Sequence, residues 1–363
     1  MNKDQIRSAA RVAALTRPFS RRQFLTYVGV MGVGVVGSSQ TAGAAGGGTS
    51  AAAPSTVFLG NFGSANPQTY AKANETYEKL WKAQNASIQW VGVNSGGQVI
   101  QTMTAGSMDI CNAGSSPMVV GFANGAPISM VYVEKYITDS ECLVVRTDRG
   151  ISSPANLKGK RIGTPFNSSA HFALLAVMQK AGLKPGDAHL INMPPSQIAS
   201  GWDRGDLDAA YIWQPVVAQI AADKGKILVK TGDLLAGGII VFDGIVVRDE
   251  FKQKHPDLLL SYLKEYDRIA QMYISQPDAV AQTMSKYLQL PLNDAKAYVA
   301  SFHPITPKEM AEAKWMGAAD PKGSGVDKAL VAQAQFLKDQ GSIPTVASSY
   351  GKFIDTSFLQ KML

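Results

Sequence analysis

This 363-residue sequence predicts an α/β protein of two similar lobes, with a ligand cleft between them and a helical C-terminal tail. The first observation is a pattern that occurs twice at an offset of 99 residues, Gln98, Gly106, Asp109 and Gln197, Gly205, Asp208. In each copy a helical run (Val99 to Ala105; Ile198 to Arg204) stops at a glycine that can take positive φ, and a short apolar strand follows. The second observation lies upstream. Val57-Phe-Leu-Gly runs into the loop Asn61-Phe62-Gly63-Ser64, and Arg161-Ile-Gly-Thr runs into Phe166-Asn167-Ser168-Ser169, each ahead of a helical pattern. The third lies downstream, where the strands end at Gly114-Ser115-Ser116-Pro117 and at Trp213-Gln214-Pro215. Four helix starts thus follow four strand ends, and in open α/β sheets ligands bind at the carboxyl ends of the strands. Against this, any α/β protein repeats strand, loop and helix, and two short matches can arise by chance.

Residues 1–44 have a logic of their own. A basic stretch leads to Ser20-Arg21-Arg22-Gln23-Phe24-Leu25, then to the mildly apolar run Thr26 to Gly37 and a candidate cleavage site at Ala42-Gly43-Ala44. This reads as a twin-arginine export signal, and residues 45–56, rich in Ala, Gly and Ser, as a flexible leader. From Val57 to Thr138 the pattern reads β, α (Pro67 to Gln84), β (Ile88 to Val93), α (Gly97 to Ala105), β (Met108 to Asn112), α (Pro117 to Ala123) and β (Ile128 to Val133). A crossover strand, Glu141 to Arg146, opens the second lobe. The strand Ile239 to Arg248 returns the chain, and the remainder is helical in pattern with Pro and Gly punctuation. The expected lobes are 57–140 with 245–363, and 141–244, joined by two crossings that permit hinge closure.

A net charge of +7 suggests a nucleic-acid partner until it is divided. Lys3, Arg7, Arg11, Arg17, Arg21 and Arg22 against Asp4 carry +5 of it within the export segment, and the rest of the chain keeps about +2. That removes most of the case for nucleic acid or an acidic membrane surface. No run reaches the ~18 apolar residues of a membrane span. With no cysteine near the cleavage site, no lipid anchor is expected. Cys111 and Cys142 both fall in apolar strands, which favours buried free thiols over a disulfide although the compartment permits one.

The cleft residues divide between structural and ligand roles. Gly114-Ser115-Ser116-Pro117 places Ser116 at the N-cap and Pro117 at the first helical position, so its amides and hydroxyls serve either as ordinary capping or as an anion site. Asn167-Ser168-Ser169 offers the same donors from the other lobe, and Ser64 adds a hydroxyl in the first loop. Trp213 and Gln214 end a strand, where a ring is either core or a lid over a small ligand. Asp243 interrupts the apolar run Gly238 to Val247. A buried carboxylate needs a partner, supplied either by the protein or by a ligand cation. Glu141, at the start of the crossover, carries the same ambiguity. His171 stands three residues after Ser168, yet no G-x-S-x-G elbow surrounds that serine, so catalysis there is not expected. His171, His189, His255 and His303 are scattered, and no spacing suggests a metal or other cofactor.

Gly114-Ser-Ser-Pro, Lys160-Arg-Ile-Gly-Thr-Pro-Phe, Trp202-Asp-Arg-Gly-Asp-Leu-Asp-Ala-Ala-Tyr-Ile-Trp213 and Phe336-Leu-Lys-Asp-Gln-Gly341 together resemble the taurine-binding periplasmic proteins of ABC importers. The resemblance runs from about Val57 to Phe358, within the wider sulfonate, nitrate and thiamine-precursor binding group. It implies a two-lobed type II periplasmic binding-protein fold, a monomer free in the periplasm, and delivery of ligand to a membrane permease and its ATPase. It also implies Ser115, Ser116 and Ser168 or Ser169 near a sulfonate, Trp213 over the ligand and Asp243 at an ammonium. Taurine carries both charges about one ethylene apart. The chain departs from the family at Phe62, Asn66 and Asn94, where a Gln and two acidic residues are expected. Other readings are a receptor for an alkylsulfonate or another small organic anion, an enzyme on the same bilobal fold, and a stand-alone chemosensory partner. Asp243 separates the first two, since a carboxylate has little purpose opposite a ligand without a cation.

Overall fold

The computed structural model describes residues 55–363, so the expected export signal and nearly all of the expected leader lie outside the described residues. Strand β1 (Ser55–Asn61) already includes Ser55 and Thr56, the last two leader positions, paired in parallel with Ala86 and Ser87 of β2 (Ala86–Gly92).

Ten strands form two five-stranded mixed sheets. The first has the order β2-β1-β3-β10-β4, with β3 (Ile110–Gly114), β4 (Ile128–Tyr136) and β10 (Phe242–Arg248). The second has the order β7-β6-β8-β5-β9, with β5 (Glu141–Arg146), β6 (Arg161–Thr164), β7 (His189–Asn192), β8 (Ala209–Trp213) and β9 (Gly225–Lys230). Position by position the sheets match: three parallel strands, then one strand antiparallel to both of its neighbours, which is β10 in the first and β5 in the second. The chain leaves the first sheet through residues 137–140 and returns through the 3₁₀ segment Thr231–Gly237. Two crossings join two similar lobes.

The repeated motif is scaffolding. Helices α3 (Gly96–Thr104) and α6 (Pro195–Asp203) end just before Gly106 and Gly205, whose φ of 73° and 77° no side chain adopts readily. Asp109 then accepts a hydrogen bond from the Phe58 amide at 2.9 Å and pairs with Arg248 at 2.6 Å. Asp208 accepts from the Arg161 amide at 2.8 Å and pairs with Arg161 at 3.3 Å. Each aspartate thus ties its own strand to its parallel neighbour in the sheet, β1 or β6, at the end remote from the strand carboxyl termini.

Helical boundaries differ from expectation where backbone chemistry intervenes. The run Pro67 to Gln84 is split into α1 (Pro67–Ala73) and α2 (Thr76–Lys82) by Glu75, which is left-handed at φ 53°. The return strand begins at Phe242, three residues after Ile239, because Gly238 is left-handed at φ 75° and closes the 3₁₀ segment. Strand β4 continues past Val133 to Tyr136, carrying Glu134 and Lys135 with it.

After β10 the chain is helical: α8 (Asp249–Lys254), α9 (Pro256–Ser275), α10 (Pro277–Leu288), α11 (Leu292–Ala300), α12 (Pro307–Met310), α13 (Gly325–Asp339) and α14 (Ser357–Gln360). In α9 Leu258, Leu259, Tyr262, Leu263, Tyr266, Ile269, Ala270 and Tyr273 recur at three- and four-residue intervals and are buried on the first sheet. Cys111 and Cys142 are buried free thiols, one in each sheet. No described helix is long and apolar enough to cross a membrane.

We expect Asp109→Ala to cost about 2–3 kcal/mol, because it strands a buried amide and a guanidinium. Urea unfolding measures the loss. Ligand affinity of the folded fraction should stay unchanged, since the aspartate lies at the far end of the strands.

Candidate functional site

A cavity of about 70 Å³ opens at the carboxyl ends of the strands, lined from both lobes. Its size suits a small solute rather than a peptide. Besides the short α1, capped by Asn66, three helices begin on it: α3 at Gly96, α4 (Ser115–Ala123) at Gly114, and α5 (Ser169–Lys180) at Ser168 and Ser169. First-turn amides have no partner within their own helix, and the helix dipole adds partial positive charge, so this wall attracts an anion. Helix α4 is the most open of the three, because its N-cap is Gly114 and no side chain caps it. Ser95 and Ser168 cap α3 and α5, accepting from the Gln98 amide at 3.2 Å and the His171 amide at 3.1 Å.

Two glycines make the convergence possible. A Cβ on Gly96 would lie 2.4 Å from Pro117 Cγ, so only glycine lets α3 approach α4. A Cβ on Gly114 would lie 3.1 Å from Ser169 Cβ, where the two lobes meet.

The rest of the lining is ionisable. Glu134, Lys135, Glu141 and Asp243 all line the cavity. Alternation along a strand would send Glu134 and Lys135 to opposite faces. A bulge prevents this: Asp243 pairs with Lys135 while Gly244 pairs with Val133, so Glu134 is the extra residue and both charged side chains reach the cleft. Lys135 Nζ lies 3.7 Å from Asp243 Oδ2 and 5.3 Å from the centre of the Phe302 ring. Glu141 accepts from Ser169 Oγ at 2.7 Å and from Thr231 Oγ1 at 3.3 Å. Glu134 is 1% exposed; Tyr266 and Asn112 face it as donors, yet neither completes a hydrogen bond to its oxygens.

Burial dominates the acid strengths. Desolvation, then repulsion from Asp243, raises Glu134 to about 7 against the opposing pull of Lys135, Tyr266 and Asn112. Desolvation raises Glu141 to about 8, although its bonds from Ser169 and Thr231 favour the charged form. Asp243 is also raised by burial, with Lys135 opposing.

Of the residues singled out in the sequence, Ser64, Glu141, Ser168, Ser169, Trp213 and Asp243 line this one cavity. Ser115, Ser116 and Gln214 do not. Helix α4 begins one residue ahead of the expected cap, at Ser115, which turns both serine hydroxyls inward. Ser115 Oγ accepts from Gln333 Nε2 at 2.9 Å and Ser116 Oγ donates to Gln333 Oε1 at 3.0 Å, so both are bonded to α13. The Gln214 side chain caps the next helix, α7 (Val216–Ala222), accepting from the Ala218 amide at 3.0 Å. Asp243, expected to face a ligand cation, has Lys135 beside it. Burial lowers His171 to about 4, so it stays neutral, stacked on Phe166 at 4.5 Å. Sequence reasoning missed Glu134, Lys135, Asn66 and Tyr298. The signal for the first two was a charged pair at the end of a strand due to finish at the cleft.

A two-lobed α/β fold with a small polar cavity at the facing strand ends is that of a solute-binding protein. The NMT1/THI5-like family matches residues 81–280, and the chain belongs to it. It is 34% identical over 303 residues to the taurine-binding periplasmic protein of Escherichia coli (strain K12), covering 82% of this chain and 90% of that protein. Among solved structures, the alkanesulfonate-binding protein of Xanthomonas axonopodis pv. citri, bound to MOPS, superposes with a TM-score of 0.69 at 21% identity, covering 81% of this chain and 96% of that one. The desulfurization enzyme DSZB shares the fold with a TM-score of 0.58 at 14% identity, covering 85% and 98%. The architecture therefore does not by itself decide between binding and turnover.

Glu134 and Glu141 hold their protons more tightly folded than at the ordinary glutamate value of 4.5. Their contribution to stability is complete below about pH 4.5 and is lost as pH rises toward 7 and 8. The ligand-free protein should thus melt at progressively lower temperature between pH 5 and pH 8. Glu141→Gln should flatten the upper part of that slope, and a melting temperature that rises over the same range would contradict the assignment.

Proposed function

We propose that the protein is the solute receptor of an ABC importer for taurine or a closely related sulfonate, binding by closure of the two lobes and performing no chemistry. One observation carries this reading: helix amino termini and buried carboxyl groups line a single small cavity together. The helix wall suits a sulfonate, whose three oxygens can take amides from α4 and α5 together. The acidic wall suits an ammonium one ethylene away. The E. coli relative is named for taurine, and its match along most of both chains supports the same assignment.

Turnover would need a nucleophile beside a base. Ser168 is engaged as a helix cap, and the neighbouring His171 accepts from the Asn167 amide through Nδ1 and stacks on Phe166. Neither is arranged to attack a substrate, and Ser169, the hydroxyl beside a carboxyl, faces Glu141, which burial raises to about 8 and so keeps protonated at neutral pH. The twin-arginine signal implies export in a folded state to the periplasm, and a permease with its ATPase is the partner to which a closed, loaded receptor would dock. We propose that the receptor acts as a free monomer.

Thermal unfolding with taurine, ethanesulfonate, sulfate and nitrate tests the reading. Taurine at 100 times its dissociation constant should add about 2.7 kcal/mol, sulfate and nitrate far less, and no shift with either sulfonate would refute it. Gly114→Val should hold Ser169 away and weaken taurine binding at least about tenfold, or 1.4 kcal/mol. Because the contact lies between the lobes, urea unfolding of the ligand-free protein should change little.

A further inference from the structure

The cavity holds three carboxyl groups and one ammonium group, and the partners of these groups are unequal. Asp243 has Lys135, and Glu141 has two hydroxyl donors. Glu134 is the most buried of the three; Tyr266 and Asn112 face it as donors, yet neither completes a hydrogen bond to either of its oxygens. Such a group costs free energy unless something supplies donors. It borders the cavity, so the missing donors can come from a bound molecule. The Asn66 side-chain nitrogen, on the same cavity, is likewise buried without a partner.

We propose that Glu134 is the principal acceptor for the ligand's ammonium group, and that Asp243 is a strut neutralised by Lys135. Resting on the sulfonate-receptor reading above, this makes the cleft selective for an amine-bearing sulfonate over a plain alkanesulfonate. An ammonium carries three donors and no acceptor, matching a carboxylate that has free lone pairs and no donor of its own. It also restores charge balance on the acidic wall, where a ligand lacking a cation would leave Glu134 either buried and charged or protonated. The groups facing Glu134 from neighbouring elements are Lys135 on β4, Asp243 on β10, Asn112 on β3 and Tyr266 on α9. Only Lys135 among these is cationic, and Asp243 shares it.

Calorimetric titration of wild type, Glu134→Gln and Asp243→Asn with taurine and with ethanesulfonate tests this. Glu134→Gln should weaken taurine by about 30-fold, the scale of one charged hydrogen bond, while ethanesulfonate affinity stays the same or improves. Asp243→Asn should change the preference for taurine over ethanesulfonate much less. An unchanged preference in Glu134→Gln, or a preference lost only in Asp243→Asn, overturns the proposal. If Glu134→Gln fails to fold, the wild type still decides. Its preference for taurine should grow as pH rises from 6 to 8 and Glu134 ionises, and a preference that is flat or falls overturns the proposal. Wild type that binds ethanesulfonate but not taurine overturns this proposal alone. Wild type that binds neither refutes the sulfonate reading and this one with it.

Discussion

Three carboxyl groups confined with a single ammonium in a cavity of about 70 Å³ are the constraint on which the site depends. Burying charge is tolerable only when it is paired or when the group takes up a proton. The cleft uses both solutions, placing Lys135 at Asp243 and driving Glu134 and Glu141 toward their neutral forms. The bulge in β4 is what brings this about. Without one extra residue opposite β10, either Glu134 or Lys135 would turn away from the cleft, and the acidic wall would lose its charge or its counterion.

The helix wall depends on backbone rather than side chains. Gly96 and Gly114 let α3, α4 and α5 bring their amino termini to one point, and the serine hydroxyls around them are already engaged, Ser115 and Ser116 with Gln333, Ser168 as a cap and Ser169 with Glu141. An anion is therefore met chiefly by peptide N–H groups and helix dipoles. These donors are fixed by the packing of the sheets and need little reorganisation on binding. The three-tyrosine face of α9 and the packed helices behind it cover the first sheet, and residues 137–140 and 231–241 are the two connections between the lobes.

The duplicated architecture was legible in the sequence because both lobes repeat a glycine stop and an aspartate at fixed spacing. The physical role of Asp109 and Asp208 was not, since their bonding partners Phe58 and Arg161 lie 51 and 47 residues away along the chain. The cleft's location followed from strand ends and helix starts. Its chemistry followed less well, for two local reasons. A two-residue shift in the start of α4 turned Ser115 and Ser116 from the cavity to Gln333, a displacement within the ordinary uncertainty of helix boundaries. The charged pair Glu134-Lys135 lies just beyond the expected strand end at Val133, and a bulge, which has no reliable sequence signature, is what aims both side chains inward. Asp243 was correctly noticed as an expensive residue in an apolar strand. Its nearest compensation, Lys135, could be found only in three dimensions.

The central claim is that an acidic, partly protonated wall receives the ligand's cation. Proton release on binding tests it most directly, through calorimetry of taurine at pH 7 in buffers of differing ionisation enthalpy. A cation placed against Glu134 lowers its affinity for protons, so taurine should bind with net release of protons, and ethanesulfonate with none or with uptake. Binding of taurine with no proton change, or with uptake, would contradict the account.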